Sequence, residues 1–205
     1  MIAKTRDPRR KLAANRDSVT PRDAGFSLIE LIMVVTMLAI MTAIVASTFR
    51  MSTTRRVENM AYLVVAHLEL ARSHALGNRR MVRVDFDVAG GTYVAYADHD
   101  LNDSIGAVTA EIQAFPEFGT RTLDDLLIFG RGSASVVPGD AGTAAVTLSN
   151  DRLLLDNQGL PEPWGTMGTI YITHSRDNSA VVAISVASSG SFRVWRWWPD
   201  AGEWR

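Results

Sequence analysis

The chain has 205 residues, enough for one domain with an appendage, and its 47% apolar and 21% charged residues exclude a disordered or collagen-like protein. It contains no cysteine, which excludes a disulfide scaffold, a thiolate zinc site, an iron–sulfur cluster and a cysteine nucleophile. The net charge of −1 is unevenly divided: residues 1–25 carry seven Lys/Arg against three acids, and the other 180 carry 14 Arg against 19 acids.

Both lysines, Lys4 and Lys11, lie in that basic head. The body therefore has no lysine for a P-loop, a Schiff base or a Ser-x-x-Lys pair. Its acidity argues against broad nucleic-acid binding, though not against a local basic patch.

From Phe26 to Phe49 the chain reads FSLIELIMVVTMLAIMTAIVASTF, with Glu30 as its one charge. As a helix this segment would measure about 36 Å, enough to cross a hydrocarbon core of about 30 Å. The basic head predicts that residues 1–25 stay in the cytoplasm and that the rest crosses the membrane. A removable secretory signal is the rival reading, but its apolar stretch would run only about 7–15 residues. A carboxylate at mid-bilayer costs about 2.5–3.5 kcal/mol, so Glu30 is either a wet interfacial group or has a partner.

Val57, Ala61, Val64, Leu68, Ala71 and Ala75 recur at spacings of three and four. This predicts an amphipathic helix over residues 50–78, stopping at Gly77-Asn78. His67 and His74 fall on roughly one face and read as partly buried helix residues, since no HExxH pattern points to a metal.

After Asn78 the period changes to two. Val82, Val84, Phe86 and Val88 alternate with Arg83, Asp85 and Asp87, predicting a half-buried strand. A turn at Ala89-Gly90-Gly91 then predicts a returning strand over Thr92–Ala97. Further strands are predicted at Glu111–Phe115, Leu126–Phe129, Ala144–Leu148, Arg152–Leu155, Thr169–His174, Ala180–Val186 and Ser191–Trp198. One long helix followed by antiparallel strands gives an α+β class, with residues 79–205 as a β-rich globular domain.

The constellations that could carry chemistry are few. Asp98-His99-Asp100-Leu101-Asn102-Asp103 opens like a calcium loop, but Asp103 and Thr109 stand where glycine and glutamate are needed. A solvated acidic turn is the plainer reading. Gly130-Arg131-Gly132-Ser133 reads as a turn, and no Gly-x-Ser-x-Gly elbow occurs. No catalytic, cofactor or metal residues are assigned, and no enzymatic activity is expected.

The last strand is more informative. Alternation puts Arg193, Trp195 and Trp197 on one side, and Phe192, Val194, Arg196 and Trp198 on the other. Arg193, Trp195, Arg196 and Trp197 are candidates for a partner-protein or single-stranded nucleic-acid face. Burial of the tryptophans in the domain is the alternative.

Gly25-Phe26-Ser27-Leu28-Ile29-Glu30, placed between a basic leader and an apolar segment, resembles the type IV prepilin signal. The resemblance implies cleavage between Gly25 and Phe26 by a prepilin peptidase and N-methylation of Phe26. Cutting before the apolar segment keeps it as an anchor, and Gly25 lets an extended backbone enter a protease cleft. The resemblance also implies that Glu30 pairs with the amino terminus of a neighbouring filament subunit.

Residues 68–87, LELARSHALGNRRMVRVDFD, look like the helix-to-strand segment of the GspH/FimT family, with its Ala-Arg-Ser-x-Ala pattern at Ala71–Ala75. The order of the Asp-rich turn, Asp156-Asn157-Gln158-Gly159 and a closing strand after Gly190 is also similar. Together they imply a pilin-like fold: a removed leader (1–25), a transmembrane helix (26–49), its amphipathic continuation (50–78) and a periplasmic domain (79–205). The implied role is that of a minor pseudopilin in type II secretion, held in the inner membrane beside other pseudopilins or pilins. A type IV minor pilin binding DNA during uptake is the alternative. It departs from this sequence, which has Gly190-Ser191-Phe192-Arg193 where such relatives tend to carry Gly-Arg-x-Arg.

Overall fold

A computed structural model describes residues 27–49, 53–98, 105 and 119–205. The chain divides into two compact units, Met1–Arg50 and Met51–Arg205.

In the first unit, α1 runs over Leu28–Phe49. Two hydroxyls in this apolar helix satisfy themselves on its own backbone: Thr36 donates to the Met33 carbonyl at 2.9 Å, and Thr42 to that of Leu38 at 2.7 Å. The helix therefore presents few unmet polar groups along its length.

The second unit opens with α2, Thr53–Asn78, whose buried residues are Val57, Met60, Ala61, Val64, Leu68, Ala71 and Ala75. The predicted stripe is the buried one, and three of its members are alanines that let the helix lie close to a sheet. The stop differs in detail. Gly77 stays helical, and Arg79 takes the left-handed turn at φ 52°. The Arg80 N–H then closes on the Ala75 carbonyl at 3.2 Å, a Schellman-type end.

Among the described residues, nine strands form two antiparallel sheets: β1 (Val82–Asp87), β2 (Thr92–Ala97), β3 (Arg121–Thr122), β4 (Leu127–Phe129), β5 (Arg152–Leu155), β6 (Gly168–His174), β7 (Asp177–Val186), β8 (Phe192–Trp198) and β9 (Glu203–Trp204). The first sheet is ordered β3-β2-β1-β5 and the second β4-β6-β7-β8-β9. Helix α2 packs on β1 of the first and on β6, β7 and β8 of the second. The architecture is α+β, a helix followed by antiparallel sheets.

Every residue of β6 is buried. Ile170, Ile172, Val182 and Ile184 face the α2 core. On the other face, Tyr171 and Ala183 are covered by Val137, and Val181 by Ala134. The Tyr171 hydroxyl accepts from the Val137 N–H at 3.0 Å, fixing this cover to the sheet.

One expectation changes, and two short strands are added. Ala144–Leu148 is not a strand but a single bridge, Val146 to Ile170. The reason is local: the Thr147 hydroxyl takes the Thr169 N–H at 2.7 Å, replacing a backbone rung. Strands β3 and β9, two residues each, were not predicted, because two residues show no period. The predicted strand Glu111–Phe115 and all of the Asp-rich turn except Asp98 lie outside the described residues.

Candidate functional site

The N-terminal candidates are Gly25, Phe26 and Glu30. Gly25 and Phe26 lie outside the described residues. Glu30 sits in the first turn of α1. The Ser27 carbonyl accepts from the N–H groups of Glu30 at 2.9 Å and Leu31 at 3.1 Å, so Ser27 is the N-cap. Ser27-x-x-Glu30 has the spacing of a capping box, a signal the prepilin reading overlooked. A carboxylate there also favours the positive end of the helix dipole, worth about 0.3–1 kcal/mol.

The apolar side chains around Glu30 are uncovered: Leu28 is 77% exposed, Ile29 66% and Met37 66%. Side chains in α1 are described only to Ala43, and among the described residues no helix is long and apolar enough to cross a membrane. The expected span, 26–49, extends beyond both ends of that stretch.

The C-terminal candidates do not form one surface. Arg196 projects towards α2 and pairs with Glu58 at 3.0 Å, on the face where Phe192 and Val194 meet the core. Trp197 is buried, packed with Ala134 and Val181 and joined by Trp204. Its ring lies 5.3 Å from that of Trp204, whose indole N–H donates to the Ser135 carbonyl at 3.0 Å. Trp195 is half-buried and donates to the Ser185 hydroxyl at 2.9 Å. Only Arg193 of the four is exposed.

The aromatic faces that remain are already occupied by cations. The Arg193 guanidinium lies 3.8 Å from the Trp195 ring. Trp198, 40% exposed, has Arg196 at 4.6 Å and Arg205 at 5.3 Å. A base could stack there only by displacing these cation–π contacts.

Both helix histidines have local partners. His74 contacts Asn78 across one helical turn. His67 Nδ1 lies 2.6 Å from the Tyr93 hydroxyl. Burial, then the nearby Arg121 guanidinium, hold the His67 imidazole below its ordinary value of 6.5. Burial pushes the Tyr93 phenol up to about 12.

With this geometry in place, the N-terminal segment can be assigned to a class: the family profile described as the prokaryotic N-terminal methylation motif matches residues 20–46. The match spans the Gly25–Phe26 junction, Glu30 and α1 as far as residue 46. No curated protein sequence is significantly similar to the chain. Among solved structures, the chain is similar to the type IV minor pilin FimU of Pseudomonas aeruginosa, at 15% identity, covering 68% of this chain and 88% of that one with a TM-score of 0.45. It is also similar to the minor pseudopilin EpsH from the type 2 secretion system of Vibrio cholerae, at 14% identity, covering 69% and 97% with a TM-score of 0.46.

Proposed function

We propose that this chain is a pilin-like filament subunit that is processed at Gly25–Phe26, N-methylated on Phe26 and anchored in the bacterial inner membrane by the segment 26–49. The observation that carries this is the methylation motif over residues 20–46, set directly on an apolar helix whose side chains are uncovered. An uncovered apolar helix needs a bilayer or neighbouring helices around it; the membrane supplies the first and a filament the second. Prepilin peptidase and other pilin-type subunits are the partners this requires. In this reading the β-rich unit is periplasmic and forms the filament's outer surface, without catalysis.

Within that class we propose a minor pseudopilin of a type II secretion pseudopilus. The acidic body favours it over a DNA-binding pilin, which needs a basic track, and the exposed tryptophan faces of β8 are already taken by arginines.

Processing is tested on protein extracted from native membranes. Removal of residues 1–25 takes away both lysines, so the mature chain would hold a single amine, at Phe26. Intact-mass analysis should give a chain beginning at methylated Phe26, and amine-reactive labelling should stop at one site. An uncut Met1, or a terminus at Ser47, where the small residues of Ala43 to Ser47 would suit a secretory-signal cut, overturns the reading. Deleting the gene should abolish type II secretion while leaving DNA uptake and pilus-driven movement intact. The reverse pattern would assign the subunit to a type IV pilus.

A further inference from the structure

The chain has five tryptophans, and four of them have a ring or a cation beside them. Trp197 and Trp204 pack together, Trp195 has Arg193, and Trp198 has Arg196 and Arg205. Trp164 has no such partner among the described residues, and at 83% it is the most exposed large apolar side chain among them. Its turn is nonetheless fixed. The Pro163 carbonyl accepts from the Thr166 N–H at 3.0 Å and from the Thr166 hydroxyl at 2.6 Å, with Gly165 at φ 91° between them. The Glu162 N–H ties the turn to the Leu154 carbonyl of β5 at 2.8 Å. Next to Trp164, Gly165 and Met167 line a cleft of about 510 Å³ that also takes in Thr169 and Ser185 from the sheet and Asp140 from the loop before it.

We infer that Trp164 and Asp140 form a docking surface for a basic segment of a partner protein. One lysine or arginine lies on the free indole face, a second reaches the carboxylate, and Met167 is the apolar wall. Asp140 is positioned for this. The Thr147 and Tyr171 hydroxyls donate to its Oδ2, each at 3.1 Å, and the Gly142 N–H donates to Oδ1 at 3.1 Å. Tyr171 is fully buried, so the carboxylate is held from beneath by a fixed group. All three donors are neutral, and among the described residues Asp140 has no ion-pair partner and is the one charged side chain lining the cleft. A lysine or arginine supplies the missing countercharge, and a tryptophan face attracts the same group through its ring quadrupole. The surroundings select the partner. Residues 132–175 contain four acids, Asp140, Asp151, Asp156 and Glu162, no lysine, and one arginine, Arg152, which has Asp85 at 3.3 Å. That balance repels a nucleic-acid backbone and an anionic lipid surface, and it draws a basic protein segment. A tryptophan held ready on a fixed turn beside a cleft is also the residue type that carries protein interfaces.

This inference does not rest on the proposed role in a filament. The test is photocrosslinking of the full chain in living cells, with Met167→p-benzoylphenylalanine placing the reactive ketone at the cleft. The expected product is an adduct to a different protein, attached beside a lysine or arginine. Two further changes are made in the photoreactive chain. Trp164→Leu keeps an apolar side chain but has no π face, and Asp140→Asn keeps an acceptor for the Gly142 N–H but has no charge. Each should lower the adduct yield several-fold, normalised to the amount of folded chain. An adduct to lipid alone or to a second copy alone overturns the docking surface, as does no adduct at all. So does a yield unchanged in either variant, or an attachment point with no basic residue beside it. If the Asp140→Asn chain does not fold, Trp164→Leu decides alone, because that exposed side chain has no ring or cation partner to lose within the fold.

Discussion

The Arg72 Nε donates to the carbonyl oxygen of Gly159 at 3.1 Å, joining α2 to a turn 87 residues further along the chain. Its Nη2 reaches the Ser189 carbonyl at 3.3 Å, so one guanidinium pins two turns to the helix. The turns are shaped to allow this. Gly159 and Gly190 sit at φ 68° and 75°. A Cβ on Gly190 would come within 2.5 Å of the Gly159 carbonyl and 3.1 Å of Arg72 Nε.

Gly190→Ala should therefore destabilise the fold by about 1–3 kcal/mol, combining left-handed strain with a backbone clash. Arg72→Ala should cost a similar amount, about 1–3 kcal/mol, because two carbonyls lose their donor. Gly202→Ala is the control: φ is 67°, but nothing lies within 4 Å of its Cβ, so only the backbone term of about 1 kcal/mol applies. Urea unfolding of the three variants checks the order, and equal losses for Gly190→Ala and Gly202→Ala would remove the pin from the argument.

What could be read from the sequence divides by the range of the interaction. The α2 stripe from Val57 to Ala75 and the alternation in β1 were legible because burial repeats with the local period. The β8 alternation also gave the two faces correctly, including Arg196 on the side of Phe192. It could not say what covers each face. Glu58 reaches Arg196 from another element, and Ala134 and Val137 close over the opposite side from a loop with no period of its own. At the N-terminus, Gly25, Phe26 and Glu30 stand out through the resemblance of one short local segment to the prepilin signal, and the methylation-motif profile over residues 20–46 covers all three. The cap at Ser27 is hidden at the sequence level because the same six residues also carry the prepilin pattern. The Ala-Arg-Ser-x-Ala segment was noticed, but the task of Arg72 depends on two glycine turns that meet it only in the fold.

Trp197 and Trp198 of β8 should separate by substitution. Trp197 is 7% exposed and sits between Ala134, Val181 and Trp204, so Trp197→Ala should cost about 3–5 kcal/mol. Its indole N–H is buried without a hydrogen-bond partner among the described residues. Trp197→Phe removes that unpaired donor and should cost clearly less than the alanine change. Trp198→Ala should cost about 1 kcal/mol, the scale of an exposed cation–π contact. Thermal unfolding measures all three, and a Trp197→Ala loss no greater than that of Trp198→Ala would contradict the burial argument.

Acid should loosen the join between the start of α2 and the β6–β7 turn. The Ser179 hydroxyl donates to Asp177 Oδ1 at 2.6 Å, and the Thr53 hydroxyl donates to Oδ2. These bonds, Ser179 first and Thr53 next, hold the Asp177 carboxyl below its ordinary 3.8. A depressed folded-state value means that the contribution is present above about pH 3.8 and is lost as pH falls through the lower folded value. Asp177→Asn should thus be less stable than the unaltered chain at neutral pH, and the gap should close in strong acid. At the other extreme Tyr93, raised to about 12 by burial, contributes fully below pH 10.0 and loses its contribution as pH rises towards 12. Denaturant midpoints across the pH range test both signs; the alkaline loss should be absent in Tyr93→Phe.

The sharpest prediction concerns Glu30, because two roles compete for it. As the third residue after Ser27 it suits a capping box, which accepts glutamine as readily as glutamate. As the partner of a neighbouring subunit's amine it needs its negative charge, since an uncompensated charge in an apolar setting is costly. Glu30→Gln keeps the cap and removes the charge. Glu30→Val removes both, and membrane insertion should if anything improve, because a polar cost disappears. If pairing is the main role, Glu30→Gln and Glu30→Val should both be processed and inserted, yet both should crosslink poorly to other filament subunits. Glu30→Asp, which keeps the charge on a shorter arm, should recover part of the crosslinking. If capping is the main role, Glu30→Gln should assemble normally and only Glu30→Val should fail. Crosslinking yield in native membranes, normalised to the amount of processed chain, separates the two. Normal assembly of Glu30→Gln would end the ion-pair account and leave Glu30 as the residue that starts α1.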